Sequence, residues 1–273
     1  MSTRGCVIGN SHVAALKLGW QAVRADYPDI ELDFFAGPRQ RLSKTFVRKG
    51  VLTTKDEIVA ENLRLTGGSD RIDLRSYDFF CVSGGGASSR ILLLMQANHM
   101  PFGGPNSGEM YISQAYLREC YEARLLRSAA KHLVDLLTAA STAPVFYVPD
   151  PHLSNERDML ARSLETVLKI EARNGFDLSR AIFTKTVESV FSNATEILFQ
   201  LPETLDGPLL TKVEFARGPG LSQATDQADD EPEDADFGDI FHLNSQYGAL
   251  FWTEFFRQHR LNGDRSTAGQ IVG

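Results

Sequence analysis

Short apolar runs alternate along the chain with longer segments whose apolar residues recur at helical spacing. The pattern begins with a strand-like run at residues 5–8, a helical segment at 12–25 and a second strand-like run at 30–36. A strand–helix–strand unit is typical of a parallel sheet with right-handed crossovers. We therefore predict an α/β fold in three layers, with a five-stranded, mainly parallel sheet. The other predicted strands are residues 79–83, 144–148 and 196–200.

The remaining segments indicate one large domain over residues 1–273, a length sufficient for a full hydrophobic core. We predict a surface excursion at 39–75, where small strands or a hairpin interrupt the main pattern. Residues 217–238 contain few large apolar side chains and a dense acidic run, so we predict a mobile loop there. The predicted helices after the second strand are residues 87–96, 113–138, 155–173, 178–192 and 247–259.

Residues that are suited to chemistry follow the predicted strands. Ser11 follows the first strand, Gly37 the second, and three glycines at 84–86 the third. Asp150 and His152 follow the fourth strand. Because the carboxyl ends of parallel strands meet along one edge of a sheet, we expect a functional site at that edge.

The order of these residues resembles the SGNH (GDSL-type) hydrolases. The turn Gly9-Asn10-Ser11 stands where the family has Gly-Asp-Ser, and glycines follow the second and third strands. Residues 239–244 (DIFHLN) match the last family block, in which an aspartate precedes a histidine by three residues. The resemblance extends by order of blocks over nearly the whole chain. It implies a flavodoxin-like fold and activity as an esterase, a carbohydrate O-acyl esterase or an acyltransferase.

The resemblance also implies a role for three side chains. Ser11 would attack an acyl carbonyl, His242 would take the hydroxyl proton, and Asp239 would orient the His242 ring. A serine hydroxyl is a weak nucleophile that needs such a base, and the resulting imidazolium needs a carboxylate partner. We therefore predict Ser11, His242 and Asp239 as a catalytic triad.

The set of oxyanion donors that the family uses is only partly present in this sequence. The family uses two backbone amides and an asparagine side chain, and here the amides of Ser11, Gly37 and Gly85 are the expected donors. Ala87 occupies the asparagine position. This departure supports an alternative function, a catalytically weakened SGNH-fold protein that binds a ligand or assists in carbohydrate metabolism. The alternatives for the missing donor are Asn106, Gly86 and Asn10.

Other interpretations of the same residues stay open. A serine at a strand-to-helix turn is often a helix N-cap, and His12 is a second candidate base. The glycines at 84–86 could cradle a phosphate in a nucleotide-dependent transferase, but the lysine of a P-loop is absent. The sequence has no metal-site spacing, so we expect neither a metal nor a cofactor. We expect the pocket to be lined by Asn10, His12, Asp150 and His152.

Charge and cysteine content restrict the partners and the compartment. The formal net charge of −7 argues against a nucleic-acid partner, and we interpret the basic clusters at 39–41 and 124–131 as solvated surface. Cys6, Cys81 and Cys120 show no CxxC spacing, which is typical of a reducing compartment. The sequence shows neither a signal peptide nor an apolar stretch long enough to span a membrane. We expect a cytoplasmic protein that acts on a small-molecule or glycan acyl ester; its oligomeric state stays open.

Overall fold

The computed structural model describes residues 2–96, 99–101, 110–218 and 240–259. The strands in chain order are β1 (Thr3–Gly9), β2 (Ile30–Ala36), β3 (Thr45–Arg48), β4 (Val51–Thr54), β5 (Ile72–Asp73), β6 (Phe79–Ser83), β7 (His99–Pro101), β8 (Met110–Ile112), β9 (Val145–Val148), β10 (Leu153–Ser154), β11 (Glu196–Ile197) and β12 (Leu210–Thr211). The helices are α1 (Val13–Val23), α2 (Glu57–Gly67), α3 (Ser89–Met95), α4 (Gln114–Leu125), α5 (Ala129–Ala140), α6 (Arg157–Ser163), α7 (Glu165–Ala172), α8 (Phe176–Val190) and α9 (Ser245–His259).

The central sheet has five strands in the spatial order β11-β9-β6-β1-β2, and every neighbouring pair is parallel. Counted by order of appearance, these strands give the order 2-1-3-4-5 from one edge. This is the order of flavodoxin-like doubly wound sheets. The predicted three-layer α/β fold with a five-stranded parallel sheet is therefore confirmed.

Two apolar cores cover the two faces of this sheet, because successive strand side chains point to opposite faces. Val7 belongs to one core and Ile8 to the other. The core on the Ile8 face includes Phe80, Val82, Leu133, Tyr147 and Phe183. The core on the Val7 face includes Trp20, Phe79, Phe146, Trp252 and Phe255. Helices α5 and α8 thus pack on one face, and α1 and α9 on the other.

Helices α1 and α9 approach each other closely enough to require glycine. A Cβ atom on Gly19 would lie 2.0 Å from the carbonyl carbon of Gly248. Near this contact, the Trp252 indole Nε1 donates a hydrogen bond of 2.8 Å to the carbonyl oxygen of Leu16. The packing fixes α1 against α9, and so fixes the segments that lead into them, which carry Ser11 and His242.

The excursion between β2 and β6 contains the expected small strands and one helix that the sequence pattern did not indicate. Strands β3 and β4 pair antiparallel, and β4 also pairs with β5. Helix α2 begins after Asp56, whose carboxylate accepts a hydrogen bond from the Val59 amide at 3.2 Å. It ends at Gly68 in the left-handed conformation.

Two predicted helices are each divided in the structure. The segment predicted as one helix at 113–138 forms α4 and α5, because the Ser128 hydroxyl accepts a hydrogen bond from the Lys131 amide at 3.1 Å and starts a new helix. The segment at 155–173 forms α6 and α7, which are separated by Leu164 in a non-helical conformation. Apolar residues continue at helical spacing across both breaks, so the prediction of one continuous helix in each segment was wrong.

Several expectations concern residues outside the described ranges. Asn106 and Asp239 lie there, as does the predicted acidic loop at 217–238 apart from Arg217 and Gly218. Within the described ranges, every helix is too short or too polar to cross a lipid bilayer. Cys6, Cys81 and Cys120 are free thiols, and Cys6 and Cys81 are buried.

Candidate active site

Ser11 lies in the turn between β1 and α1, at the carboxyl edge of the sheet. The Asn10 side chain shapes this turn, because its Oδ1 accepts a hydrogen bond of 3.1 Å from the His12 amide. His12 occupies the N-cap position of α1, and no side chain caps that helix. The interpretation of Ser11 as a capping residue is therefore wrong, and its hydroxyl is directed elsewhere.

The Ser11 hydroxyl meets the ring of His242. Ser11 Oγ and His242 Nε2 are 2.7 Å apart, although 231 positions separate the two residues along the chain. Both side chains are half-buried, so a small ligand can reach them. This distance is within the range that a general base needs in order to take a proton from a nucleophile.

The segment around His242 is fixed by backbone contacts with residues 214–218. The His242 carbonyl accepts a hydrogen bond of 3.2 Å from the Gly218 amide, and Leu243 forms an isolated antiparallel bridge with Ala216. Asn244 Nδ2 donates to the Glu214 carbonyl at 2.7 Å. These contacts keep the His242 ring opposite Ser11.

Asn244 also begins helix α9. Its Oδ1 accepts hydrogen bonds from the amides of Gln246 and Tyr247, at 3.1 and 3.2 Å. Sequence reasoning gave this residue no role. The available signal was an asparagine immediately before an apolar helical segment, a typical capping position.

Asp150, at the end of β9, binds the glycine turn that follows β6. Its Oδ1 accepts a hydrogen bond of 2.9 Å from the Gly85 amide, and its Oδ2 accepts one of 3.2 Å from the Gly86 amide. Asn10 Nδ2 donates to the same carboxylate at 3.4 Å, and His12 Nε2 lies 3.5 Å from it. Asp150 thus connects the glycine turn to both neighbours of Ser11.

Gly84 is the position where this turn requires glycine. Its φ angle is +68°, and a Cβ atom there would lie 2.3 Å from Asn10 Oδ1 and 2.8 Å from Asp150 Oδ1. A side chain at Gly84 would therefore displace the residues that surround Ser11. The glycines at 84–86 allow close packing around the Asp150 carboxylate. Because the amides of Gly85 and Gly86 donate to that carboxylate, they are not available to bind a phosphate.

Most of the backbone amides that the sequence suggested as oxyanion donors form hydrogen bonds within the protein. The Gly37 amide donates to the Gly9 carbonyl at 2.9 Å, and the Gly85 and Gly86 amides donate to Asp150. The use of Gly37, Gly85 or Gly86 as an oxyanion donor does not fit these hydrogen bonds. In the described part of the chain, the Ser11 amide has no hydrogen-bond partner. Ala87 is fully buried, and its amide donates to the Tyr147 hydroxyl at 3.2 Å.

His152 does not take part in the Ser11–His242 pair, although we expected it in the pocket. Its Nδ1 lies 2.7 Å from the Ser89 hydroxyl, and its ring packs edge-on against Phe183 with centroids 5.5 Å apart. Burial lowers the pKa of His152 to about 4, and the nearby charge of Arg180 adds to this effect. His152 is a neutral, structural histidine near neutral pH.

His12 lies beside the pair, with its ring centroid 5.1 Å from that of His242. A small cavity of about 20 Å³ adjoins it, and its wall includes Leu243, the residue after His242. A cavity of this volume holds about one water molecule or a methyl group. Its other lining residues are Ala15, Leu16, Ser83, Val148, Pro149, Pro151, Gln200 and Tyr247. Within the described ranges, we find no group of three or more histidine, cysteine or acidic side chains arranged to bind a metal ion.

The comparisons with known proteins show distant structural similarity and no match at the level of sequence families. The sequence matches no family model and none of the curated proteins. One similar solved structure is that of a carbohydrate acetylesterase family member from Sinorhizobium meliloti, with 10% identity, a TM-score of 0.36, and coverage of 94% of this chain and 98% of that one. Another is a DUF4886 family protein from Bacteroides uniformis, with 9% identity, a TM-score of 0.35, and coverage of 95% and 96%. Similarity at this level carries no argument about chemistry, which has to rest on the geometry of the site.

Proposed function

We propose that the protein is a serine-dependent hydrolase or acyltransferase of the SGNH type, acting on ester bonds. The observation that carries the proposal is the 2.7 Å contact between Ser11 Oγ and His242 Nε2 at the carboxyl edge of the sheet. This edge is where doubly wound folds place their ligands. The residue order that resembles the SGNH hydrolases leads to the same two side chains.

In the proposed reaction, Ser11 Oγ attacks the carbonyl carbon of the ester while His242 Nε2 takes the hydroxyl proton. A bond forms between Oγ and the carbonyl carbon, and the carbonyl electron pair moves to oxygen. When the tetrahedral intermediate collapses, the C–O bond to the alcohol breaks and His242 returns its proton to the departing oxygen. Water or an acceptor hydroxyl then attacks the acyl-serine by the same steps.

Two further groups would assist the proposed reaction. Asp239, three residues before His242, would orient the histidine ring and stabilise its imidazolium form. The Ser11 amide would donate to the developing oxyanion, because it is without a partner in the described residues. The cavity of about 20 Å³ beside His12 would hold the methyl group of an acetyl ester. We therefore expect short acyl groups to be preferred.

Turnover of p-nitrophenyl acetate by the wild type and by Ser11→Ala tests the proposal. We expect the variant to lose activity by a factor of about 10³ or more. Ser192→Ala is the matched control, because Ser192 is an exposed serine outside the site. Equal rates for wild type and Ser11→Ala, in proteins with the same unfolding midpoint, would exclude Ser11 as the nucleophile.

A second candidate function is ligand binding without efficient catalysis, in an accessory protein of carbohydrate metabolism. The observation that favours it is the loss of oxyanion donors: Ala87 replaces the asparagine, and the amides of Gly37 and Gly85 are engaged elsewhere. Removal of one such donor typically costs a factor of about 10²–10³ in rate. A folded wild-type protein that hydrolyses p-nitrophenyl acetate no faster than buffer does would favour this second function.

A further inference from the structure

A cavity of about 320 Å³ lies between Gly86 of the glycine turn and the α4–α5 region. The described residues of its wall include two guanidinium groups, from Arg124 at the end of α4 and Arg127 in the α4–α5 connection, and no carboxylate. The other lining residues are Gln40, Gly86, Cys120, Ala123 and Ser128. The described lining of this cavity is thus cationic, although the net charge of the protein is −7.

Both arginine side chains are exposed. Among residues 2–96, 99–101, 110–218 and 240–259, neither the Arg124 nor the Arg127 side chain has an ion-pair or hydrogen-bond partner. The next cation along the chain behaves differently, because the Lys131 ammonium pairs with Asp135. Guanidinium groups are suited to carboxylate and phosphate, to which they donate two parallel hydrogen bonds. An anion in the cavity would therefore meet two uncommitted donors.

The glycine turn contacts both the neighbours of Ser11 and the wall of this cavity. A Cβ atom on Gly84 would meet Asn10 and His12, the two neighbours of Ser11, whereas one on Gly86 would meet the Ser128 side chain in the cavity wall. Gly84 and Gly86 are two residues apart, which is a span of at most about 7 Å of extended chain. The glycine turn therefore connects the neighbours of Ser11 with the wall of the cavity.

We propose that this cavity binds an anionic group, a carboxylate or a phosphate, on the alcohol portion of the ester whose acyl group Ser11 attacks. The inference rests on the proposed function, and it assigns a role to a basic cluster that the sequence pattern indicated only as solvated surface. Arg124 and Arg127 would select anionic esters over neutral esters of the same shape.

A pair of acetyl esters tests this selectivity: 4-acetoxybenzoate, which is an anion, and 4-acetoxybenzamide, its neutral counterpart. We expect the wild type to show a ratio of kcat/KM values that favours the anion by about tenfold at low salt, falling as salt is added. In the double variant Arg124→Ala/Arg127→Ala the ratio should fall to about one. Arg118→Ala is the matched control, an exposed arginine on α4 outside the cavity wall, and it should keep the wild-type ratio.

A binding measurement separates this proposal from the proposed catalysis. Calorimetric titration of Ser11→Ala with 4-acetoxybenzoate requires no turnover, and we expect binding that is lost when Arg124→Ala and Arg127→Ala are added. Equal affinity for the carboxylate and the amide, or affinity that survives both arginine substitutions, would overturn the anion site. Failure of the wild type to hydrolyse either ester would overturn the proposed function alone, and the titration would still decide the anion site.

Discussion

The described part of the molecule contains two serine–histidine pairs with the same separation and different surroundings. Ser11 Oγ lies 2.7 Å from His242 Nε2, and Ser89 Oγ lies 2.7 Å from His152 Nδ1. The first pair is half-buried at the carboxyl edge of the sheet. In the second pair, Ser89 is 0% exposed and His152 is 8% exposed. Distance alone therefore does not identify a nucleophile and its base.

The difference lies in how deeply each histidine is buried. A general base becomes an imidazolium during the reaction, and burial opposes that charge. Burial lowers the pKa of His152 to about 4, so the Ser89 pair is suited to a permanent neutral hydrogen bond. His242 is next to the surface and next to the Ser11 turn, where a substrate can bind. We expect the two pairs to respond to substitution in opposite ways.

The largest expected effect is the loss of activity in His242→Gln. Without the base, the rate of p-nitrophenyl acetate hydrolysis should fall by about 10⁴-fold, because glutamine cannot accept the Ser11 proton. His152→Gln is the matched control and should retain the wild-type rate. A comparable loss of activity in both variants, with both proteins folded, would show that the comparison between the pairs is wrong.

A smaller loss is expected for Asp150→Asn, which acts by positioning the site. The substitution removes the charge that accepts hydrogen bonds from the Gly85 and Gly86 amides. The turn should lose its fixed relation to Asn10 and His12, and kcat should fall roughly 10–100-fold. Steady-state kinetics and the pH profile of kcat measure the effect, with Asp135→Asn, a surface residue, as control. An unchanged kcat would remove Asp150 from the positioning of Ser11.

The next expected effect is a pH dependence of stability that comes from His152. Its folded-state pKa is about 4 and its ordinary value 6.5, so below neutral pH the unfolded chain binds a proton that the folded protein excludes. Stability is therefore full above pH 6.5 and decreases as the pH falls through the window between 6.5 and 4. At pH 5 the loss should be about 2 kcal/mol relative to neutral pH.

Denaturant unfolding of the wild type and of His152→Asn at several pH values measures this contribution. The difference in unfolding free energy between the two proteins should shrink as the pH falls. Asparagine retains a polar group near Ser89 but does not titrate, which makes it the better replacement. Parallel pH profiles for the two proteins would contradict the assignment.

The smallest expected effect is that of Ser89→Ala. The substitution removes the hydroxyl that meets His152 Nδ1, and we expect a loss of about 1–3 kcal/mol in unfolding free energy. Catalytic activity should remain within a factor of about two, since Ser89 is not in contact with Ser11 or His242. Thermal or denaturant unfolding, together with p-nitrophenyl acetate turnover, checks both parts. A large loss of activity at unchanged stability would reverse the roles of the two serines.

The alternation of strands and helices allowed the sheet to be predicted, and with it the placing of Ser11, Gly37 and Asp150 along one edge, whereas His242 was predicted as the partner of Ser11 from the resemblance to the SGNH hydrolases. Parallel strands bring their carboxyl ends to one edge, so residues that follow different strands become neighbours even when they are far apart in the chain. The catalytic roles of Ser11, His242 and Asp239 stay predictions, and Asp239 lies outside the described residues.

Other features could not be predicted, because they depend on the direction of individual bonds. The Gly37 amide continues the sheet toward Gly9, and the Gly85 amide turns toward Asp150. Neither direction is encoded in local sequence. The capping of α5 by Ser128, inside a segment with continuous helical spacing, was hidden for the same reason. Tertiary contacts decide which of several permitted hydrogen bonds forms.

Covalent labelling with a fluorophosphonate probe, followed by peptide mass spectrometry, tests the central claim most directly. The probe reacts with a serine whose hydroxyl is accessible and activated by a base. We predict modification of Ser11 in the wild type, loss of that modification in His242→Gln, and an unmodified Ser89 in both. Modification of Ser89, or no modification of a folded wild-type protein at Ser11, would contradict the assignment of Ser11 and His242 as nucleophile and base.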